Sequence, residues 1–261
     1  MINKRPQPIP VGRPIRVIRP VITTIPVKSP IVVRPKAPII VPPKKYIQTR
    51  KNAVLPKPKP PEAKPKQPFT RPPFKKPSGP PITTRPLFMS LHTGGGYAEQ
   101  VAQLVETLEK FHLEYVVVAR DSTGNWEKNC NLKPGGVSEI VNKYPDRPII
   151  WADADARVCR YPELLMNMPD DVDIAYHLHR GHELISSLLY FGTTPKAKEI
   201  IERWVEKAKQ YPTQWDQKLL WKVLVEMGDT ITTVELPQSY ACIFDRHNLK
   251  EEEIVIKQLQ Y

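Results

Sequence analysis

The first 86 residues are almost without acid: Glu62 stands alone there, against about 20 of the chain's 39 Lys and Arg. The formal net charge of +12 therefore divides into about +19 on this stretch and about −7 on the remainder. Cysteine is scarce as well. Cys130, Cys159 and Cys242 are odd in number, far apart and without metal-ligand spacing, which argues against a disulfide framework and against a structural zinc site. Long apolar runs are missing too: nothing approaches the roughly 20 residues that cross a bilayer, and the opening residues lack the continuous apolar stretch of a secretory signal. The compartment expected from these features is the cytoplasm, or a host cytoplasm for a viral product. Two phosphate-binding signatures are also lacking, the Gly-x-Gly-x-x-Gly of dinucleotide sites and the Gly-Lys-Ser/Thr of P-loops.

Proline is what the first stretch has in abundance. Most of the 31 prolines precede Leu87, alternating with Ile, Val, Lys and Arg, and at this density they interrupt both helix and sheet ladders. Ordering such a chain costs roughly 1–2 kcal/mol per residue, and it has no contiguous apolar surface to offset that. Residues 1–86 are thus expected to be a disordered basic arm, suited to nucleic acid, an anionic membrane surface or an acidic protein face.

From residue 87 the pattern changes to alternating strands and helices. Residues 87–91 form a short apolar run that ends at His92-Thr-Gly-Gly-Gly-Tyr97, after which Val101, Leu104, Val105, Leu108 and Phe111 recur at helical spacing. Residues 115–119 read as a second strand, 134–144 as a helix, and 149–151 as a third strand. Further strands are expected at 173–176, 188–191 and 231–236. They alternate with a helix opened by Thr194-Pro195 and another over 214–227 ended by Gly228. Such alternation predicts an α/β domain over 87–261 with a mostly parallel sheet covered on both faces.

The chemistry concentrates in Pro148-Ile-Ile-Trp-Ala-Asp-Ala-Asp155. Asp153 and Asp155 follow a buried-strand pattern, and carboxylates at the end of such a strand are costly without a cation or donors to compensate them. Residues two apart share a strand face, so both can open into the crevice at a sheet's carboxyl edge. Oxygen ligands there suit Mn2+ or Mg2+, which keeps positions for water or phosphate, making a diphosphate the natural partner. His92, Thr93, Gly94 and Gly95 form a strand-to-helix loop able to approach a nucleotide. Lys133, Arg157 and Arg160 are candidate phosphate contacts, and His247 is a candidate to complete the cation's shell. His177-Leu-His179-Arg-Gly-His182 has no zinc spacing and reads as a loop with one substrate-contacting imidazole.

In order along the chain, His92-Thr93 to Tyr97, Trp126 with Asn129, Lys133-Pro134, the Asp153-x-Asp155 strand, Pro162, Asp173-Ile-Ala175, Ser187-Leu-Leu-Tyr-Phe191, Trp204 and Asp216-Gln217 resemble the nucleotide-diphospho-sugar transferases. These are metal-dependent glycosyltransferases with the Rossmann-like A-type fold. The resemblance implies that Asp153 and Asp155 hold Mn2+ or Mg2+ against a nucleotide-sugar donor's diphosphate. It further implies that His92 to Gly95, Lys133 and Asp153 contact the donor, that Asp216 is the catalytic carboxylate facing a hydroxyl acceptor, and that Gln217 lies on the acceptor side. Ser186-Ser187-Leu188 departs from the Ser-Gly-Thr common in that group. Two other readings follow from the same residues: a scaffold protein that docks its basic arm on a polyanion without turnover, and a haloacid-dehalogenase-type phosphatase with Asp153 as nucleophile. Against the last, Arg157 stands where that motif wants Thr or Val, and two strands precede the aspartates.

Overall fold

The structure, a computed structural model, describes residues 72–243 and 247–259. All of them belong to one compact unit, Pro68–Tyr261. The disorder and the polyanion contacts expected of residues 1–71 fall outside the described residues.

Six strands make the central sheet: β1 (Leu87–His92), β2 (Tyr115–Ala119), β3 (Ile149–Ala152), β5 (Ile174–His179), β6 (Glu183–Phe191) and β7 (Thr233–Glu235), in the order β2-β1-β3-β6-β5-β7. β1 runs parallel to β2 and β3, and β5 parallel to β7, while β6 is antiparallel to both its neighbours. The sheet is therefore mostly parallel with one reversed strand in its middle. A second, three-stranded sheet is formed by β4 (Ala156–Val158), β8 (Cys242–Ile243) and β9 (Ile256–Gln258). The helices are α1 (Gly96–Lys110), α2 (Trp126–Cys130), α3 (Leu132–Lys143), α4 (Glu163–Met166), α5 (Pro195–Gln210) and α6 (Asp216–Met227).

Strand periodicity divides the core into two layers. Leu87, Met89, Ile149, Trp151, Leu189 and Phe191 face the layer that also holds Val137 and Ile140 of α3, Trp204 of α5 and Leu220 of α6. Their alternate neighbours Phe88, Ile150, Leu188 and Tyr190 face Leu104 and Leu108 of α1, Leu165 of α4, and Ala156 and Ile256 of the small sheet. Thr194 caps α5, its Oγ1 accepting from Ala197 N–H at 2.9 Å and donating to Asp173, and Pro195 takes the first helical position. Gly94 and Gly95 sit at φ +82° and +57°, a left-handed turn open to glycine that takes the chain from β1 into α1.

Two expectations need correction. Residues 72–86 belong to the body and not to a free arm: Phe74 packs edge-on against Tyr176 and Trp221, Lys75 bridges to Thr232, and Ile82 N–H donates to Met168 O at 2.8 Å. Proline density favours extended chain, but extended chain can still lie along a sheet edge and bury an aromatic ring. The histidine-rich segment is no loop. His177 and His179 are buried on β5, and the His177 ring bonds Leu236 O at 2.9 Å, so the segment is a hairpin with its turn at Arg180-Gly181.

Candidate active site

The parallel strands β1 and β3 end side by side, and the reversed β6 brings Ser186 and Ser187 to the same edge. Asp153 leaves β3 with its N–H donating to Ser187 O at 2.9 Å, which fixes the backbone at the strand end. Here a cleft of about 230 Å³ opens, with Asp153 and Asp155 on its wall beside His92, Thr93, Trp126 and Lys133. The crevice lies outside the carboxyl ends of β1 and β3, the usual ligand position of open α/β sheets.

Asp153 is held hard in place. Its Oδ1 accepts from Trp151 Nε1 at 2.7 Å and lies 3.0 Å from Lys133 Nζ. Asp155 has less support. Burial first, and the neighbouring charge of Asp153 second, push its carboxyl up to about 7, so near neutrality its ionised and protonated forms are comparably populated.

Lys133 lies on the cleft wall near the start of α3, with its ammonium set among carboxylates. It is 7% exposed, and its Nζ contacts Asp153 Oδ1, Asp216 Oδ2 at 3.1 Å, Ser186 O at 3.1 Å and Ser186 Oγ at 3.2 Å. Its ammonium also lies 5.1 Å from the Trp151 ring centroid. Burial opposes the charge of Lys133, but Asp153 and Asp216 together outweigh it and hold the ammonium above the usual lysine range. The residue is an internal counterion for two carboxylates. The sequence carried a faint signal for this, a lysine at the start of a helix whose next residues bury Pro134, Gly136 and Val137.

Asp216 is likewise inside. It is 5% exposed, accepts from Ser186 Oγ at 2.9 Å, and its backbone carbonyl accepts from Trp204 Nε1 at 2.9 Å. Neither Asp216 nor Gln217 is on the cleft wall, and Gln217 is engaged with β6, its Oε1 taking Ser186 N–H and its Nε2 reaching Glu183, both at 3.4 Å. His247 is not brought to the aspartates: among the described residues no three His, Cys, Asp or Glu side chains converge as a metal-ligand set. Its Nδ1 instead accepts Leu249 N–H at 3.2 Å, turning the ring into its own loop. Arg157 ties β4 to α1 through Gln103 at 2.7 Å, and Arg160 bonds Glu252 O, so both are committed to packing.

No family model matches the chain, and none of the curated proteins does. Among solved structures, one described as a glycosyltransferase involved in the glycosylation of the major capsid of PBCV-1 superposes with a TM-score of 0.53 at 13% identity, covering 66% of this chain and 91% of that one. At that identity the match speaks to architecture alone. The described domain thus shares the fold of that structure, and its paired aspartates stand at the carboxyl edge of the central sheet.

Proposed function

We propose that this chain moves a sugar from a nucleotide-diphospho-sugar to a hydroxyl acceptor, with Mn2+ or Mg2+ held by Asp153 and Asp155. The observation that supports this most is the cleft itself: two adjacent carboxylates, one of them resisting ionisation near neutral pH, on the wall of a crevice in a glycosyltransferase fold. The donor set fits the ion. It is oxygen-only, as a hard divalent cation prefers, and two protein ligands leave the rest of the shell to diphosphate and water. When bound, such a cation supplies Lewis acidity that stabilises the departing diphosphate.

The chain's own residues do the positioning. Lys133 and Trp151 fix Asp153 Oδ1, leaving Oδ2 for a ligand, and the Ser187 carbonyl fixes the Asp153 backbone. His92 and Thr93 provide polar groups on the wall for the nucleotide half of the donor. Asp216 positions Lys133 and Ser186 from behind in this proposal, and does not itself take the acceptor's proton.

Release of nucleoside diphosphate from a panel of UDP-, GDP- and CDP-sugars, with and without Mn2+, tests the reading. Metal-dependent release that Asp155→Ala abolishes is expected. Release from no donor, or release indifferent to metal and to Asp155→Ala, would return the protein to the scaffold reading.

A further inference from the structure

Tryptophan side chains left half in water call for an explanation, since their large apolar surface is usually buried. Trp126 is 54% exposed and Trp215 44% exposed, and the two meet edge to face with ring centroids 5.9 Å apart and planes at 85°. They come from distant segments, the first turn of α2 and the residue just before α6. Asn131 joins those segments, its Nδ2 lying 2.8 Å from both Pro212 O and Gln214 O. Asn125 Oδ1 caps α2 by accepting Lys128 N–H at 2.9 Å, and the Trp215 carbonyl accepts from Lys218 N–H at 3.0 Å. The backbone beneath both rings is therefore anchored, and the rings are still exposed.

Their position relative to the cleft sets their purpose. Trp126 is part of the cleft wall that carries Asp153 and Asp155, whereas Trp215 is not, so the pair leads outward from the carboxylates. The cleft, at about 230 Å³, is smaller than the roughly 300–1,000 Å³ typical of small-molecule sites, and a second reactant must rest on its rim. The rim also carries donors. Lys218 Nζ lies 4.8 Å from the Trp215 ring centroid, and Lys222 Nζ lies 5.1 Å from that of Tyr211, itself 48% exposed.

We infer that Trp126 and Trp215 form the platform for a saccharide acceptor. A pyranose ring offers a face of C–H bonds that lies flat on an indole, and a perimeter of hydroxyls that accept from ammonium groups such as those of Lys218 and Lys222. A bare Ser or Thr hydroxyl on a protein acceptor presents no such flat apolar face. The inference rests on the glycosyltransferase reading above, and it adds the chemical class of the acceptor and the residues that select it.

The test uses the full chain and two ligand sets. Saturation-transfer NMR is recorded with methyl glycosides and disaccharides of glucose, galactose, mannose, N-acetylglucosamine and rhamnose, and calorimetry measures UDP and GDP binding with Mn2+. At least one saccharide is expected to bind through the C–H protons of one ring face, with Trp215→Ala weakening it by about tenfold, equivalent to about 1.4 kcal/mol. Trp215→Phe is expected to restore most of that affinity, and neither variant to change nucleotide binding. The Trp215 side chain makes no helix-capping bond, so its removal leaves the α6 start intact. The inference is overturned if no saccharide binds the wild-type chain, if Trp215→Ala binds as well as wild type, or if it weakens nucleotide to the same degree. Failure of nucleotide binding in the wild type counts against the transferase reading alone.

Discussion

Replacing Lys133 by methionine keeps the side chain's length and removes its charge, and the expected consequence is large. Its ammonium is the shared counterion of Asp153 Oδ1 at 3.0 Å and Asp216 Oδ2 at 3.1 Å, in a site where the lysine and Asp216 are 7% and 5% exposed. Breaking a buried pair by removing one partner costs about 3–5 kcal/mol, because the charge left behind has neither water nor counterion. For a domain of this size each kcal/mol shifts Tm by about 2–4 °C, so Lys133→Met should melt about 6–20 °C below wild type. Urea unfolding followed by far-UV circular dichroism at pH 7 gives the free energy directly. Adding Asp153→Asn and Asp216→Asn to Lys133→Met removes the stranded charges and should recover most of the loss. By contrast, Arg203→Ala breaks only the exposed pair with Glu199 at 2.6 Å and should cost under about 1 kcal/mol. A loss below about 1 kcal/mol in Lys133→Met would refute the counterion assignment.

Asp155, with its carboxyl raised to about 7, binds more protons folded than unfolded between about pH 4 and 7, so it lowers metal-free stability as pH climbs through that window. Asp155→Asn should therefore gain in Tm relative to wild type from pH 4 to 8, and Mn2+ binding to the wild type should strengthen from pH 6 to 8; a flat Tm difference would contradict this. Gly192 lies where an added Cβ would come within 1.9 Å of the Val172 carbonyl oxygen, so Gly192→Ala should cost about 3 kcal/mol or more in a denaturation series. Phe74→Ala removes an edge-to-face partner of Tyr176 and Trp221 and should cost about 1–3 kcal/mol, whereas a free arm would give no change.

Periodicity revealed the central sheet and its long helices because each buries a regular face: Leu87, Met89 and Phe88 alternate, and α5 repeats Ala197, Ile200, Ile201 and Trp204. The small sheet escaped because β8 has two residues, β4 and β9 three each, and the pairing of β4 with β9 joins segments about a hundred residues apart. The short helix α2 escaped for the opposite reason, since it buries none of its residues and shows only the Asn125 cap. At the site, Asp153 and Asp155 were legible as a motif, but they reach one cleft through the turn between β3 and β4, where Ala156 N–H donates to Asp153 O at 3.0 Å, and not along a shared strand face. The partners of Lys133 were not legible. Asp216 and Ser186 reach it only through the reversal of β6 and the packing of α6, contacts that no local pattern encodes. His247 misled because a histidine's value as a ligand depends on its distance from the aspartates, which sequence order does not give.

In the function proposed for this chain, Asp153 and Asp155 hold a divalent cation against a nucleoside diphosphate. Thermal shift with UDP and GDP, each with and without Mn2+, reads out that three-way binding. Ligand at about 100-fold its Kd should stabilise the protein by about 2.7 kcal/mol when Mn2+ is present, with little effect from nucleotide alone and none in Asp155→Ala. Equal stabilisation with and without Mn2+, or a full shift retained in Asp155→Ala, would contradict it.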